Sequence, residues 1–385
     1  MPAKHISVIL GTRPEATKLA PVILELRRPP RQFKVEVIAT GQHRELLSNA
    51  LAMFGLTPEQ NLKIMLPGQS LEHITAAALT KLEPVFLKSK TDLVLVEGDT
   101  TTVFAAALAA FYHRIPVAHL EGGLRTDDVY NPFPEEVNRR LTSVISTVHL
   151  APTPEAKQNL LKEGHKPGEI YVTGNTAVDA LLWAASRPAP ALPEAVKKAE
   201  KIILVTSHRR ESWGKPIRRT FSALRQIARY FPEVDIFFPV HPNPQVKQAA
   251  GEILKGLHRV HLLEPLNYLP FVHLMKKAYL ILTDSGGIQE EAPSLNKPIL
   301  VLREKTERGE GLVAGTARLV GTDPERIMAE VSRLLTDKAA YARMARAANP
   351  FGDGKSSQRV RQALLHYFGL RGGRPRDFSP RRRGA

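Results

Sequence analysis

The chain has 385 residues, enough for two domains of ordinary size, with a formal net charge of +16 and no cysteine. The missing cysteines exclude disulfides and thiol catalysis and leave zinc only histidine and carboxylate ligands, for which no H-E-x-x-H spacing is present. No apolar run reaches the ~20 residues of a membrane span, and the N-terminus enters a strand-like run with no export signal, so a cytoplasmic protein is expected.

The run His5 to Leu10 predicts a first strand. Gly11-Thr12-Arg13-Pro14-Glu15 follows, and then a helix spaced through Leu19, Val22, Ile23 and Leu26, with Pro14 suited to its start. The single glycine of this turn lacks the G-x-G-x-x-G pattern of a tightly bound dinucleotide and offers Arg13 and Lys18 instead, two cations that can face a diphosphate or simply be solvated. Phe33 to Ile38 is a second strand, with Gln42-His43-Arg44-Glu45 after its end. Asp92 to Val96 is a third, stopping at Gly98-Asp99-Thr100, where Asp99 is a candidate N-cap as well as a candidate acid. Val117 to Leu120 exits into Glu121-Gly122-Gly123-Leu124-Arg125. Residues 134–140 then open a helix whose Glu135/Arg139 and Glu136/Arg140 spacing predicts an exposed, salt-bridged face. Repeated strand, loop and helix with polar residues collected at strand exits describe a doubly wound parallel sheet, which binds ligands at that edge. Arg13, Asp99, Glu121 and Glu135 should therefore converge.

Strands at Val148 to Ala151 and Ile170 to Thr173 lead to Gly174-Asn175-Thr176 and a proline-rich stretch at 187–193, which puts a boundary between about 174 and 200. The pattern then restarts. Ile202 to Thr206 exits into Ser207-His208-Arg209-Arg210-Glu211, and Val234 to Val240 into His241-Pro242-Asn243. Val260 to Leu263 and a helix near Phe271 to Lys277 follow. Tyr279 to Leu282 reads as a buried strand that turns through Asp284-Ser285-Gly286-Gly287 into a helix beginning near Ile288. The backbone amides of that turn, with no side chains at the glycines, suit an anion. Glu290 and Glu291 in the first helical turn can accept from a ribose diol, although acidic residues also suit a helix start and Ser285 an N-cap. Arg303 to Gly315, with Arg308, reads as a long loop. Residues 349–356 look like a P-loop but have Asn349 where its first glycine is required. A last helix at about 356–369 is expected to pack back on the first domain. The final fifteen residues hold six Arg and one Asp and read as a basic, disordered tail.

The fold expected is α/β: two Rossmann-like domains with parallel sheets facing a central cleft, the glycosyltransferase-B architecture. The domains would be 1–174 with the helix 356–369, then 175–355, then the tail 370–385. The strings GTRPEATKLAPV, TGQHRE, GDTTT, HLEGGLRT, NPFPEEVNR, TGNTAVDAL, TSHRRES and LTDSGGIQEEAPSLNKP, spread from about His5 to Tyr367, strongly resemble the non-hydrolysing UDP-N-acetylglucosamine 2-epimerases.

That resemblance implies reversible conversion of UDP-N-acetylglucosamine to UDP-N-acetylmannosamine by anti elimination of UDP and re-addition through 2-acetamidoglucal, supplying N-acetylmannosamine units for cell-surface polysaccharide. It implies no cofactor and no metal, and it suggests a homodimer. The family's functional positions match Asp99, Glu121, Glu135 and His208 as catalytic groups, and Arg13, Lys18, Phe271, Ser285, Gly286, Gly287, Glu291 and Arg308 as substrate-binding groups. Inverting C2 requires a proton to leave one face and another to arrive on the other, so at least two acid–base groups are needed. Asp99, Glu121 and Glu135 can each serve either face. Some members are activated by their own substrate at a second site. Gln42, Arg209 and His241 match that pattern, whereas Glu45 and Gly68 stand where those members carry Gln and Arg. Glu97 and Leu266 also differ from common family choices. A hydrolysing epimerase or a UDP-sugar-dependent glycosyltransferase of the same fold is the alternative. Nucleic-acid binding through the arginine tail lacks any recognised module.

Overall fold

The structure is a computed structural model that describes residues 2–41, 44–64, 66, 68–126, 128–209 and 212–380. Gln42, His43, Arg210 and Glu211 lie outside the described residues. The chain divides into two compact units, the first running to Ala180 and resuming at Gly352–Ser379, the second spanning Leu181–Phe351.

The first unit begins with β1 (Lys4–Leu10), α1 (Arg13–Leu26), β2 (Phe33–Ala39), α2 (Arg44–Met53), β3 (Gln60–Asn61) and α3 (Leu71–Ser89). It continues through β4 (Leu93–Glu97), α4 (Thr101–Tyr112), β5 (Val117–Leu120), α5 (Glu135–Ile145), β6 (Val148–Ala151), α6 (Pro154–Lys162) and β7 (Ile170–Val172), and α7 (Thr176–Ala185) leaves it. The strands form one parallel sheet in the order β3-β2-β1-β4-β5-β6-β7. The order reverses between β1 and β4, where Ile6 lies beside Leu93. The helices leaving those two strands therefore fall on opposite faces, opening a crevice at their carboxyl ends.

In the second unit α8 (Glu194–Lys198), β8 (Lys201–Thr206), α9 (Lys215–Tyr230), β9 (Val234–Pro239), α10 (Pro244–Ile253), β10 (Val260–Leu263) and α11 (Tyr268–Lys277) come first. Then follow β11 (Leu280–Thr283), α12 (Gly286–Glu291), β12 (Ile299–Val301), α13 (Gly309–Ala314), β13 (Ala317–Leu319), α14 (Pro324–Thr336) and α15 (Lys338–Ala345). The parallel order β10-β9-β8-β11-β12-β13 reverses between β8 and β11. Both faces of this sheet are covered, so its strands read as unbroken apolar runs. Ile203, Val205, Leu280 and Leu282 pack against Phe221, Leu224, Val246, Ile327 and Val331, while Ile202, Leu204 and Ile281 pack against Leu181, Val272 and Met275 on the other side. The period-2 alternation of a strand sorts these neighbours into two cores.

Three features depart from the sequence reading. The segment expected to be a loop over 303–315 contains α13, closed by Gly315 in a left-handed conformation (φ 77). The helix after the Ser-Gly-Gly turn starts at Gly286 rather than near Ile288. The C-terminal segment is not a free tail as far as it is described. After α16 (Ser356–Tyr367), which packs on α1, residues 374–378 run along β7. Phe378 N donates to Val172 O at 2.7 Å, Val172 N to Asp377 Oδ1 at 3.0 Å, and Lys157 Nζ to Asp377 Oδ2 at 2.7 Å. The Arg374 guanidinium lies 4.3 Å from the Tyr171 ring centroid and donates to Gly168 O. An otherwise unpaired sheet edge supplies the partners that a charge count could not foresee. Phe378 is 3% exposed. Phe378→Ala is therefore expected to lower stability by about 3 kcal/mol, read as an earlier urea midpoint with an unchanged slope; an unaltered midpoint would show that the segment contributes nothing.

The return of α16 to the first unit is fixed by a buried carboxylate, since Asp179 on α7 accepts from the backbone amides of Ser356 (3.1 Å) and Ser357 (2.8 Å). Those two donors are first-turn amides of α16, which have no partner within their own helix.

Candidate active site

The exit of β1 is shaped by Glu15. Thr12 caps α1 and Glu15 reaches back, accepting from Gly11 N at 2.6 Å, Thr12 N at 3.3 Å and Thr12 Oγ1 at 2.9 Å, a capping box closed by a buried side chain. Arg13 is thereby placed at the first helical position, exposed at the strand exit. One turn on, Lys18 Nζ lies 3.0 Å from Glu97 Oε1 and pairs closely with Glu121 Oε2.

Glu121 follows β5 directly with φ 66, in the left-handed region that costs a non-glycine residue roughly 1 kcal/mol or more. Its amide donates to Leu150 O at 3.0 Å, which anchors the turn to β6. The neighbouring Gly123 (φ 90) passes so near Ala156 O that an added Cβ would sit 2.2 Å from it. The strained turn is thus over-determined by its surroundings, the usual mark of a functional position.

Asp99 stands beyond the end of β4. Its side chain meets Arg139 Nη2 at 2.6 Å and its carbonyl accepts from Asn138 Nδ2 at 2.9 Å, both from α5. The N-cap of α4 is Thr100 and not Asp99, which frees the carboxylate for this contact. Burial opposes the charge on Arg139, but Asp99, Glu136 and Glu121 outweigh it and hold the guanidinium charged. The expected exposed ion-pair face on α5 is corrected here. Glu136 is fully buried and accepts from Arg140 at 2.8 Å, Arg139 at 3.2 Å and Thr126 N at 3.1 Å, so it fastens the loop before α5. Glu135, its half-buried neighbour, begins α5.

Sequence reasoning passed over His119. Its ring is buried on β5, and Nε2 donates to Gly98 O at 2.7 Å, holding the turn (Gly98 φ 82) that presents Asp99. Burial lowers its pKa to about 4 despite the help of the Gly98 carbonyl, so it stays neutral. A histidine inside a short apolar strand was the available signal.

In the second unit the site is built around Asp284, fully buried just beyond β11. Oδ2 accepts from Ser207 Oγ (3.1 Å), His208 N (2.8 Å) and Arg209 N (3.0 Å), and Oδ1 lies 3.0 Å from His208 Nδ1. The loop after β8 is thereby tied to the turn after β11 at the point where strand order reverses. The His241 ring lies 5.8 Å from that of His208, so His241 and Arg209 flank His208.

Ser285, Gly286 and Gly287 open α12 with no side-chain cap. A Cβ on Gly286 would meet the Arg308 guanidinium at 3.5 Å, and one on Gly287 only Ser285 Oγ at 3.9 Å, so the turn's amides stay approachable beside a cation. Arg308 Nε donates to Glu290 Oε1 at 2.6 Å. Arg303 binds Glu307 through both terminal nitrogens, at 2.8 and 3.1 Å, and fixes the segment that carries Arg308. Glu291 accepts from the Tyr268 hydroxyl at 3.1 Å, and burial together with the charge of Glu291 keeps that phenol protonated. Phe271 lies in the first turns of α11, half-buried against the second core.

Arg13 and Asp99 thus stand at the exits of β1 and β4, and His208 and Ser285 at those of β8 and β11, beside the reversal of strand order in each unit, with Glu121 at the exit of the next strand, β5. The UDP-N-acetylglucosamine 2-epimerase family profile matches residues 25–365. The chain belongs to that family. A UDP-N-acetylglucosamine 2-epimerase of Salmonella typhimurium is 50% identical over 371 residues, covering 94% of this chain and 98% of the relative. One of Bacillus subtilis is 48% identical over 376 residues, covering 97% and 98%. Among solved structures, the Neisseria meningitidis UDP-GlcNAc 2-epimerase bound to UDP-GlcNAc superposes with a TM-score of 0.85 at 45% identity, covering 94% of this epimerase-family chain and 100% of that one. Among the described residues no helix is long and apolar enough to cross a membrane.

Proposed function

We propose that this epimerase-family protein interconverts UDP-N-acetylglucosamine and UDP-N-acetylmannosamine by the non-hydrolysing route, in the cytoplasm. A carboxylate takes the C2 proton while the C1–O bond to UDP breaks, leaving 2-acetamidoglucal. UDP oxygen then re-adds at C1 as a proton arrives on the opposite face of C2. The observation that carries the reading is Glu121, held in a left-handed turn against the Lys18 ammonium, and Asp99 and Glu135 are the further carboxyl groups proposed for the proton transfers. Carboxyl groups in different surroundings can divide acid and base roles. Arg13, Lys18 and His208 would stabilise charge on the departing diphosphate, with Ser285, Gly286, Gly287 and Arg308 binding it, Glu291 the ribose and Phe271 the base. Negative charge developing on a leaving group is where fixed donors and cations contribute most.

Incubation with UDP-N-acetylglucosamine alone, followed by proton NMR, tests the proposal. UDP-N-acetylmannosamine should accumulate to an equilibrium reached equally from either epimer. Release of free N-acetylmannosamine would indicate the hydrolysing reaction, and turnover that requires an acceptor would indicate a transferase.

Arg308→Ala should weaken UDP binding about tenfold, because a charge-assisted contact to phosphate is lost. It should also lower stability by about 2 kcal/mol, since the ion pair that Arg308 makes with Glu290, whose side chain is 4% exposed, is broken. Calorimetric UDP titration beside a thermal melt separates the two effects, and wild-type UDP affinity would remove Arg308 from the site.

A homodimer is the second part of the proposal. Val137, Leu141 and Val144 project from one side of α5, 38%, 41% and 77% exposed, and Val137 and Leu141 line a surface hollow with exposed Leu71 of α3 and with Phe104 of α4. Neighbouring apolar side chains left in water at i, i+4 and i+7 mark a surface that a second copy would cover. Light scattering should give twice the chain mass, and Val144→Glu should shift it toward one.

A further inference from the structure

The NPFPEEVNR stretch leads into α5, where two consecutive residues, Asn138 and Arg139, reach the same point beyond β4. Helical spacing offers Arg139 to Glu135, yet the structure gives its guanidinium to two other carboxyl groups at once. Nη2 lies 2.6 Å from Asp99 Oδ2, and Nη1 donates to Glu136 Oε2 at 3.2 Å. The Glu136 side chain is fully buried and is itself fixed by Arg140 Nε at 2.8 Å and the Thr126 amide at 3.1 Å. A planar guanidinium engaged through two terminal nitrogens has little freedom to turn, so the anchor at Glu136 sets where the other prong meets Asp99. Asn138, 7% exposed, donates from Nδ2 to the Asp99 carbonyl at 2.9 Å.

Asp99 is a residue that needs such support. It follows β4 through Gly98, whose left-handed φ of 82 suits glycine, and its side chain is 25% exposed. The terminal torsion of an aspartate is broad, so the backbone alone does not fix where its two oxygens face. Asn138 holds the main chain of Asp99 and Arg139 one carboxyl oxygen. The charge-assisted contact at Oδ2 is the stronger of the two and leaves Oδ1 for a reacting atom. Misplacing a reacting group by about 1 Å can cost about a hundredfold in rate, which is the scale of effect open to residues that never touch the sugar.

We propose that Asn138 and Arg139 are positioning residues for the epimerisation: together they hold Asp99 so that one of its carboxyl oxygens is presented to the substrate. The inference rests on the proton-transfer role proposed above for Asp99. Neither residue exchanges a proton with the sugar.

Two measurements on the full chain test this. In ligand-free protein with carbon-13 at the aspartate carboxyls, the Asp99 NMR signal is identified by its absence from D99N. It should move in R139M, which removes the guanidinium and keeps an unbranched side chain. An unmoved signal in folded R139M overturns the proposal. This readout needs no turnover, so it still decides the point if the wild-type protein makes no UDP-N-acetylmannosamine and the functional reading itself fails. In the second measurement, R139M should lower kcat about a hundredfold with KM within about threefold. N138A removes the bond to the Asp99 carbonyl and leaves Glu136 with all three of its donors, so it stays informative if R139M does not fold. It should lower kcat about tenfold, again with KM within about threefold. Wild-type kcat in either folded variant, or a loss that appears in KM instead of kcat, would contradict the proposal.

Discussion

Glu121→Gln is expected to reduce turnover about 10³-fold while UDP affinity stays within about threefold of wild type. The two side chains are nearly equal in volume, and the amide oxygen can still face Lys18, so the left-handed turn at φ 66 and its hydrogen bond to Leu150 O should survive. What is lost is the ability to take and return a proton at a carboxyl oxygen, which alters the transition state and leaves the grip on the nucleotide alone. Steady-state kinetics paired with UDP titration reads this directly. Turnover at the wild-type level would remove Glu121 from the chemistry, and a parallel collapse of UDP binding would show that the substitution had instead disturbed the fold.

Asp284→Ala should act on fold and binding together. Removing this fully buried carboxylate takes away the common acceptor of Ser207 Oγ, His208 N and Arg209 N and the group that orients the His208 ring. Donors left without an acceptor cost ~1–3 kcal/mol each, so a loss of about 3 kcal/mol is expected after partial rehydration. UDP affinity should fall about tenfold as the loop after β8 loses its tie to β11. The pH dependence has a definite sign. Burial raises the pKa of Asp284, but the side chain and charge of His208 and the amides of Arg209 and His208 more than offset it, so the folded-state pKa lies below the ordinary 3.8. Its stabilising contribution is therefore complete above about pH 3.8 and is lost as pH falls through the folded-state pKa. Acid titrations of wild type and variant should converge in that range; a constant difference down to the lowest pH would show that the carboxylate's charge is not what matters.

Strand exits were legible in the sequence because buried parallel strands are apolar runs that stop abruptly at glycine and charge, as at Leu10, Leu120 and Thr283. The same logic hid Glu97, since a carboxylate ending an apolar run looks like the first residue outside the strand when it is in fact the last one inside. Glu136 misled for a related reason. Its spacing to Arg140 is that of a solvated pair, and only the loop at Thr126 folding over it buries Glu136, while Arg140 itself stays exposed. Local pattern does not reveal which face of a helix a distant loop will cover. Residues 374–378 looked disordered because their composition is basic and poor in large apolar groups, yet a sheet edge needing partners and a pocket for Phe378 order them. α3 and β3 were not anticipated. Pro84 interrupts the helical pattern of α3, and β3 has only two residues, Gln60 and Asn61, with too little sequence to carry a period.

Proton traffic at the sugar's C2 is where the account is most exposed. Conversion of UDP-N-acetylglucosamine in deuterated water should place solvent deuterium at C2 of the UDP-N-acetylmannosamine formed, and Glu121→Gln should slow that exchange in step with turnover. Epimerised product that retains its original hydrogen at C2 would contradict it.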